Sequence, residues 1–477
     1  MKKNYFKYFL LLCFCIYSIM IAKSQNVNKS NDYALTNISI VDVDKGCILE
    51  NKTIIIKSGI IQKITSKATN QELSGLTTID GTNLFIIPGL FDSHVHYLDP
   101  ESFGPMLISH GVLFVREMGN VTEVAIKQRN LLNSGRLLGP EMITTGSYLD
   151  GNPPFIPQIS LVCKTPEEGR AMVRDQIKAG VDQIKTFSRL EKDVFYAIID
   201  ECKKNNIKAV GHVPEVVYIE DAAKAGLKSS EHLFGFGNVI AKVLNEPIKL
   251  KGGGMGADQD YFVHYPEINR GKLQLELNKI SSYGMAVCPT LIVMRCGTNL
   301  IDIFNRNYPM LDYISPIVWN MWKQMWEPQK GGVAFFRQLY PNYLSFLKDL
   351  YDAKFTLLIG TDLLFAGVIP GYSVLEEMAI WQEAGIPPID ILRSATITPA
   401  KFIGVDKLLG TIEEGKKASF VLLRSNPLID INNTKKIEGV FLRGEFFNHQ
   451  KLDTLKLKIK EANEAKYNII KNSNQKQ

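Results

Sequence analysis

Apolar and polar positions alternate in short runs at both ends of the chain, and a longer repeating pattern lies between them. From about residue 32 to 85, "ALTNISIVDV", "CILENKTIIIKSGIIQKI" and "TTIDGTNLFIIPG" set branched apolar residues against polar ones and turn at Gly or Asn. That period of two predicts strands joined by hairpins. Near the other end, "GTIEEGKKASFVLLRSNP" and "IEGVFLRGEFF" follow the same pattern. Each segment is thin in core-forming residues. The expectation is one small β-sandwich built from both ends, with residues 25–87 and 404–450 as its two parts and a larger domain, residues 88–403, inserted between them.

In that larger domain, strand-like runs alternate with amphipathic stretches. The strand candidates are "FIIPGLFDSHVH", "GVLFVREMG", "PEMITTGSY", "VDQIKTFS", "IKAVGHVP", "KSSEHLFG", "MAVCPTLIV" and "FTLLIGTD". Between them lie helical patterns such as "PEEGRAMVRDQIKAG", "EKDVFYAIIDECKKNN" and "YIEDAAKAG". Eight β/α units predict an α/β fold of the (β/α)8 TIM-barrel type. The rival is an open doubly wound sheet, but no G-x-G-x-x-G turn follows the first strand. Two connections are long, Phe234 to about Lys272 and Met294 to about Asn342, and long connections in a compact domain are commonly functional lids or disordered. Trp319, Trp322 and Trp326, three and four residues apart, predict one helical face packed on the barrel. Residues 451–477 are lysine-rich and are expected to form a charged C-terminal tail, a surface helix that frays.

The chain has 477 residues, 45% hydrophobic and 22% charged, which is ordinary for a globular protein. It opens with lysines and then runs apolar from Phe9 to Ala22, with Ala22-Lys23-Ser24 as a small-residue cleavage site. Residues 1–24 therefore predict a signal peptide and a secreted or periplasmic protein. The apolar run is shorter than the ~20 residues a spanning helix needs, which ranks a membrane anchor second. The leader carries four lysines and no acid, so the net charge of +6 falls to +2 without it. Nothing in that balance points to nucleic acid as a partner. Cys47, Cys163, Cys202, Cys288 and Cys296 are odd in number and scattered. They predict buried apolar residues and no disulfide framework.

A barrel gathers its chemistry at the C-terminal ends of its strands. There the candidate strands carry His94 and His96 on the first, Lys185 on the fourth, His212 on the fifth, His232 on the sixth and Asp362 on the eighth. His94 and His96 are two apart, so a strand aims both at one face. Four of the seven histidines fall at strand ends; His110, His264 and His449 do not and receive no role. Singly, each residue has an ordinary reading: Asp362 as a helix cap, Lys185 as a snorkelling side chain. As one ring they predict a metal site.

The order "HVH", a strand-four lysine, "GHVP", "SSEHL" and "GTD" resembles the metal-dependent amidohydrolase superfamily, in particular its imidazolonepropionase-like and Xaa-Pro-dipeptidase-like branch. "GTIEEGKKASFVLL" resembles that family's closing β-sandwich strand, and "SATITPAKFIGV" its last barrel helix. The resemblance covers nearly the whole chain beyond the leader. It implies two divalent metal ions, with zinc as the expected element: His94, His96 and Asp362 on the more buried one, His212 and His232 on the other. It implies that Lys185 is carboxylated (N6-carboxylysine) and bridges them, and that a metal-bridging hydroxide attacks an amide carbonyl while Asp362 shuttles the proton. The expected substrate is a dipeptide or a cyclic amide. Lys417, Ser419 and Glu117 depart from the residues common in relatives. Glu215, in H-x-x-E after His212, resembles the mononuclear deaminase branch, which keeps deamination of a heterocyclic amine as the enzymatic alternative. A metal-containing barrel that binds a small molecule without turnover is the non-enzymatic one. Tyr148 and Arg295 are candidates to face the substrate.

Overall fold

The computed structural model describes residues 32–248 and 257–474. The expected leader, residues 1–24, lies outside the described residues. Strands β1 (Tyr33–Asp42), β2 (Cys47–Lys57) and β3 (Ile60–Thr65) form antiparallel hairpins, and β4 (Thr77–Asp80) and β5 (Phe85–Pro88) run parallel to β1.

The chain then enters the barrel through β6 (Leu90–Val95), β7 (Val112–Glu117) and β8 (Glu141–Thr144). β9 (Tyr148–Asp150) continues the third strand and β10 (Ser160–Val162) pairs beside it. β11 (Gln183–Thr186), β12 (Lys208–Gly211), β13 (Ser229–Glu231), β14 (Ala286–Cys288) and β15 (Thr356–Leu357) complete the circuit. All these pairings are parallel, as crossover helices require. Single backbone bonds close the ring where regular ladders stop. The Asp182 N–H donates to Thr144 O at 2.9 Å, Ser93 N–H to Ile359 O at 2.8 Å, and Asp362 N–H to His94 O at 2.8 Å. The run "PEMITTGSY", expected as one strand, is broken at residues 145–147, where the Thr122 hydroxyl accepts the Ser147 N–H at 3.1 Å in place of a ladder partner.

After the barrel, β16 (Phe420–Leu423), β17 (Ile437–Leu442) and β18 (Glu445–Asn448) return to the N-terminal strands. β16 pairs antiparallel with β5, so both ends of the chain share one eight-stranded mixed sheet. The sheet rolls up, for Ile60 bridges to Lys417 and the Ala418 N–H donates to Gly59 O at 2.8 Å. Inside the roll, Leu35, Ile38, Ile54, Ile56, Ile86, Phe420, Leu422 and Phe441 are fully buried as a separate core. Each such side chain contributes about 1.5–3 kcal/mol relative to exposure. Lys417, one of the departures noted in the sequence, pairs with Glu141 at 2.7 Å and ties this module to the barrel.

Among the described residues, the two long connections are largely helical. The first holds helix Gly237–Leu244 and a 3-10 segment over 257–267. The second is a series of short helices (Leu291–Thr298, Leu300–Phe304, Pro316–Met325) that leads into the 20-residue helix Val333–Asp352. Pro316 opens its helix at the first turn, where a missing N–H costs nothing. Trp319 and Trp322 are buried on the barrel side of that helix. Residues 449–474 form one helix, with Leu452, Ile459 and Asn463 buried and Lys466 paired to Glu101 at 2.8 Å. Among the described residues no helix is long and apolar enough to cross a membrane. Cys163, Cys202, Cys288 and Cys296 are buried free thiols; Cys47, at the start of a hairpin strand, is exposed, which corrects the expectation that all five are buried.

Candidate metal centre

The barrel floor is organised by charge. Arg116 on β7 is fully buried. Its guanidinium donates to Ser93 O at 2.5 Å, to the Ser229 hydroxyl at 3.0 Å and to both Glu231 oxygens at 2.9 Å. Glu231 in turn accepts from His94 Nδ1 at 2.8 Å. A carboxylate can only accept, so the His94 proton resides on Nδ1 and Nε2 keeps its lone pair. His96 Nδ1 likewise faces an acceptor, the Gly119 carbonyl, at 2.9 Å. The Nδ1 atoms of His212 and His232 bond Ser188 Oγ at 2.9 Å and Thr290 Oγ1 at 2.8 Å. All four rings are thus held by Nδ1, the arrangement that orients a metal-binding imidazole.

The remaining atoms converge. His96 Nε2 lies 3.2 Å and His94 Nε2 3.5 Å from Asp362 Oδ1, and Lys185 Nζ is 3.5 Å from His94 Nε2. The His94 and His232 rings are 4.5 Å apart, and the His212 and His232 rings 5.2 Å. All six residues picked out at strand ends therefore meet in one cluster. Tyr148 joins them: its hydroxyl is 3.3 Å from His96 Nδ1, and Lys185 Nζ stands 4.6 Å from its ring centroid. Gly119 permits this, because a Cβ there would collide with the Tyr148 ring. Phe187 stacks on Tyr148 at 4.3 Å and on His212 at 4.2 Å.

Arg295 is not brought to the set. Its helix starts at Leu291, so Arg295 lies a full turn down it, where Tyr340 at 2.6 Å, Glu383 and Glu376 hold the guanidinium.

Burial is the first cause that lowers the pKa of His94, His212 and His232, and the Lys185 charge adds to it for all three. Burial also brings Lys185 down to about 8. For Asp362 burial acts upward, but His232, His96 and Lys185 outweigh it and hold the carboxyl below its ordinary value. Burial thus favours the neutral form of His94, His212 and His232, and the carboxylate of Asp362 stays ionised. With its proton on Nδ1, His94 turns the Nε2 lone pair toward Asp362 Oδ1 at 3.5 Å, a repulsive contact that a cation between them makes attractive. His212 Nε2 is buried with no hydrogen-bond partner, and a buried polar atom of that kind calls for a ligand. On both counts the residues fit divalent metal ions.

Sequence reasoning missed the layer beneath the cluster. Glu231 and Arg116 are conspicuous afterwards as charges inside apolar strands, "SSEHL" and "GVLFVREMG". Asp92, two residues before His94 and so on the same face of the strand, accepts from the Thr361 N–H at 3.0 Å and hydroxyl at 2.6 Å, which locks the first strand to the eighth. Replacing Glu231 by Ala leaves a buried guanidinium unpaired. Urea unfolding is expected to show a loss of about 3–5 kcal/mol; a loss under about 1 kcal/mol would contradict the pairing described here.

The site is thus a ring of imidazoles, a lysine and a carboxylate at the C-terminal ends of the strands of a (β/α)8 barrel. The chain belongs to the amidohydrolase family, whose model matches residues 85–447. A dihydroorotase of Desulforapulum autotrophicum is 34% identical over 58 residues, 12% of this chain and 14% of that protein, so the match spans about a seventh of the relative's length. Among solved structures, a bottromycin amidohydrolase superposes with a TM-score of 0.72 at 20% identity, covering 90% of each chain. A Xaa-Pro dipeptidase with methionine bound in its active site gives 0.62 at 19% identity, over 88% of this chain and all of that one. At such identities these two likenesses concern the fold.

Proposed function

We propose that the protein hydrolyses the amide bond of a dipeptide or a cyclic amide in a site that holds two divalent metal ions, zinc being the expected one. The observation that carries this reading is the convergence of four imidazoles, held by their Nδ1 atoms, with Lys185 and Asp362. His94, His96 and Asp362 would hold one ion, His212 and His232 the other, with Lys185 between. Divalent ions there supply an activated water at neutral pH and polarise a carbonyl.

The protein's own groups do the rest. Lys185 is buried against Tyr148 and Phe187, surroundings that favour the neutral amine. The neutral amine adds to the carbon of carbon dioxide: one N–C bond forms, one C=O π bond opens onto its oxygen, one proton leaves the nitrogen, and a neutral side chain becomes an anionic carbamate. Asp362, ionised and about a quarter exposed, accepts a proton from the attacking water and passes it to the departing nitrogen. Tyr148 walls one side of the site. The leader-like composition of residues 1–24 supports an activity outside the cytoplasm. A lysine among the histidines speaks against the mononuclear deaminase, which has no use for a bridging anion.

The test is a broad panel of dipeptides and cyclic amides with the zinc-loaded full chain. Release of free amine or amino acid is expected, lost on dialysis against a chelator and restored by zinc. Ammonia release from heterocyclic amines alone would favour the deaminase. Bound metal with no turnover of any substrate would favour the binding barrel.

A further inference from the structure

The turn after the eighth strand carries Asp362 in a costly backbone conformation. Asp362 has φ +55° and Leu364 φ +148°, a region that side chains other than Gly rarely adopt; such residues persist only where their surroundings over-determine them. On one side the turn is pinned to strand one, through the Asp362 N–H on His94 O and the His96 N–H on Leu363 O at 3.1 Å. On the other side it meets the long insertion. The fully buried Trp322 donates its indole N–H to Leu364 O at 2.8 Å, and the half-buried Trp326 lies with its ring centroid 4.0 Å from that of Phe365. At Gly367, φ +90°, any Cβ would collide with Ile303 of the insertion, so the two segments meet backbone to side chain.

The insertion is itself braced. Arg306 lies 3.6 Å over the Trp319 ring and donates to the Tyr467 hydroxyl at 3.2 Å. From the same C-terminal helix, Lys460 pairs with Asp312 at 2.8 Å. A continuous set of contacts therefore runs from the helix 449–474 through residues 303–326 to the turn that bears Asp362.

We infer that the insertion is a brace for the Asp362 turn and that Trp322 is a positioning residue for Asp362, acting through the Leu364 carbonyl. The value of that positioning rests on the proposed role of Asp362; the brace itself does not. Trp322→Phe keeps a ring and removes the N–H. Hydrogen–deuterium exchange on the full chain is expected to speed up at least about 10-fold over residues 362–366 and not in β7 or β12, since a local opening leaves the rest of the fold protected. Zinc affinity, titrated against a chromophoric chelator, is expected to fall about 10-fold or more, as it does when the support of a ligand is lost.

Unchanged exchange in the turn overturns the inference, as does faster exchange spread over the whole barrel. Should Trp322→Phe fail to fold, Trp326→Ala at its half-buried site carries the same test with the same two outcomes. If the wild-type chain binds no zinc, the proposed function fails while the exchange result still decides whether the brace exists.

Discussion

Asp362→Asn is expected to lower kcat by about 10²–10⁴-fold on whichever substrate the panel identifies, the range spanned by a lost general acid–base. The substitution is well isolated. Asn accepts the left-handed conformation that Asp362 adopts at φ +55°, and its backbone N–H still reaches His94 O. Only the charge and the second oxygen are removed. His94 and His96 then face an amide in place of a carboxylate, so affinity for the metal that they would share is expected to drop as well. Steady-state kinetics beside a melting curve make the check. A variant that melts like the parent yet keeps more than about a tenth of its turnover would remove Asp362 from the mechanism.

Lys185→Ala should abolish activity and strip metal together, as read by elemental analysis of the purified chain. The reasoning is electrostatic. As metal ligands, four imidazoles and one carboxylate would supply a single negative charge against the four positive charges of two divalent ions, and a carbamate at Lys185 would add a second anionic group between them. Truncation at Lys185 also opens space beside Tyr148 and Phe187. Acetate or propionate added to the medium is expected to enter that space and recover part of the activity. Full metal content in the Ala variant would rule out a bridging lysine.

The clustering of the strand-end residues was legible because a barrel strand obeys two simple rules. Its side chains alternate, and its C-terminal end faces the site. His94 and His96 satisfy both, Lys185 lies within β11, His212 and His232 directly follow β12 and β13, and Asp362 sits on the turn after β15. The support beneath them was not legible. Arg116 and Glu231 are neighbours only because β7 and β13 cross the same interior, and a charge in an apolar strand has no local signature of its partner. The insertion read as a long connection because proline and glycine divide it into short helices, each below the length at which periodicity is persuasive. The lysine-rich end read as a tail because its buried residues, Leu452, Ile459 and Asn463, are sparse among charges. Arg295 follows strand seven closely enough to suggest the rim, but one helical turn carries it to Tyr340 instead.

The pairing of β5 with β16 also dictates an order of events at the ribosome. Ile87 waits for Val421, which emerges on the order of three hundred residues later, a delay of about 15–60 s at ordinary elongation rates. Throughout that interval the N-terminal hairpins stand with an open hydrogen-bonding edge, a surface prone to pairing with other nascent chains. A message cut short before residue 420 yields a polypeptide whose amino-terminal strands never acquire their closing neighbour, however complete its catalytic half.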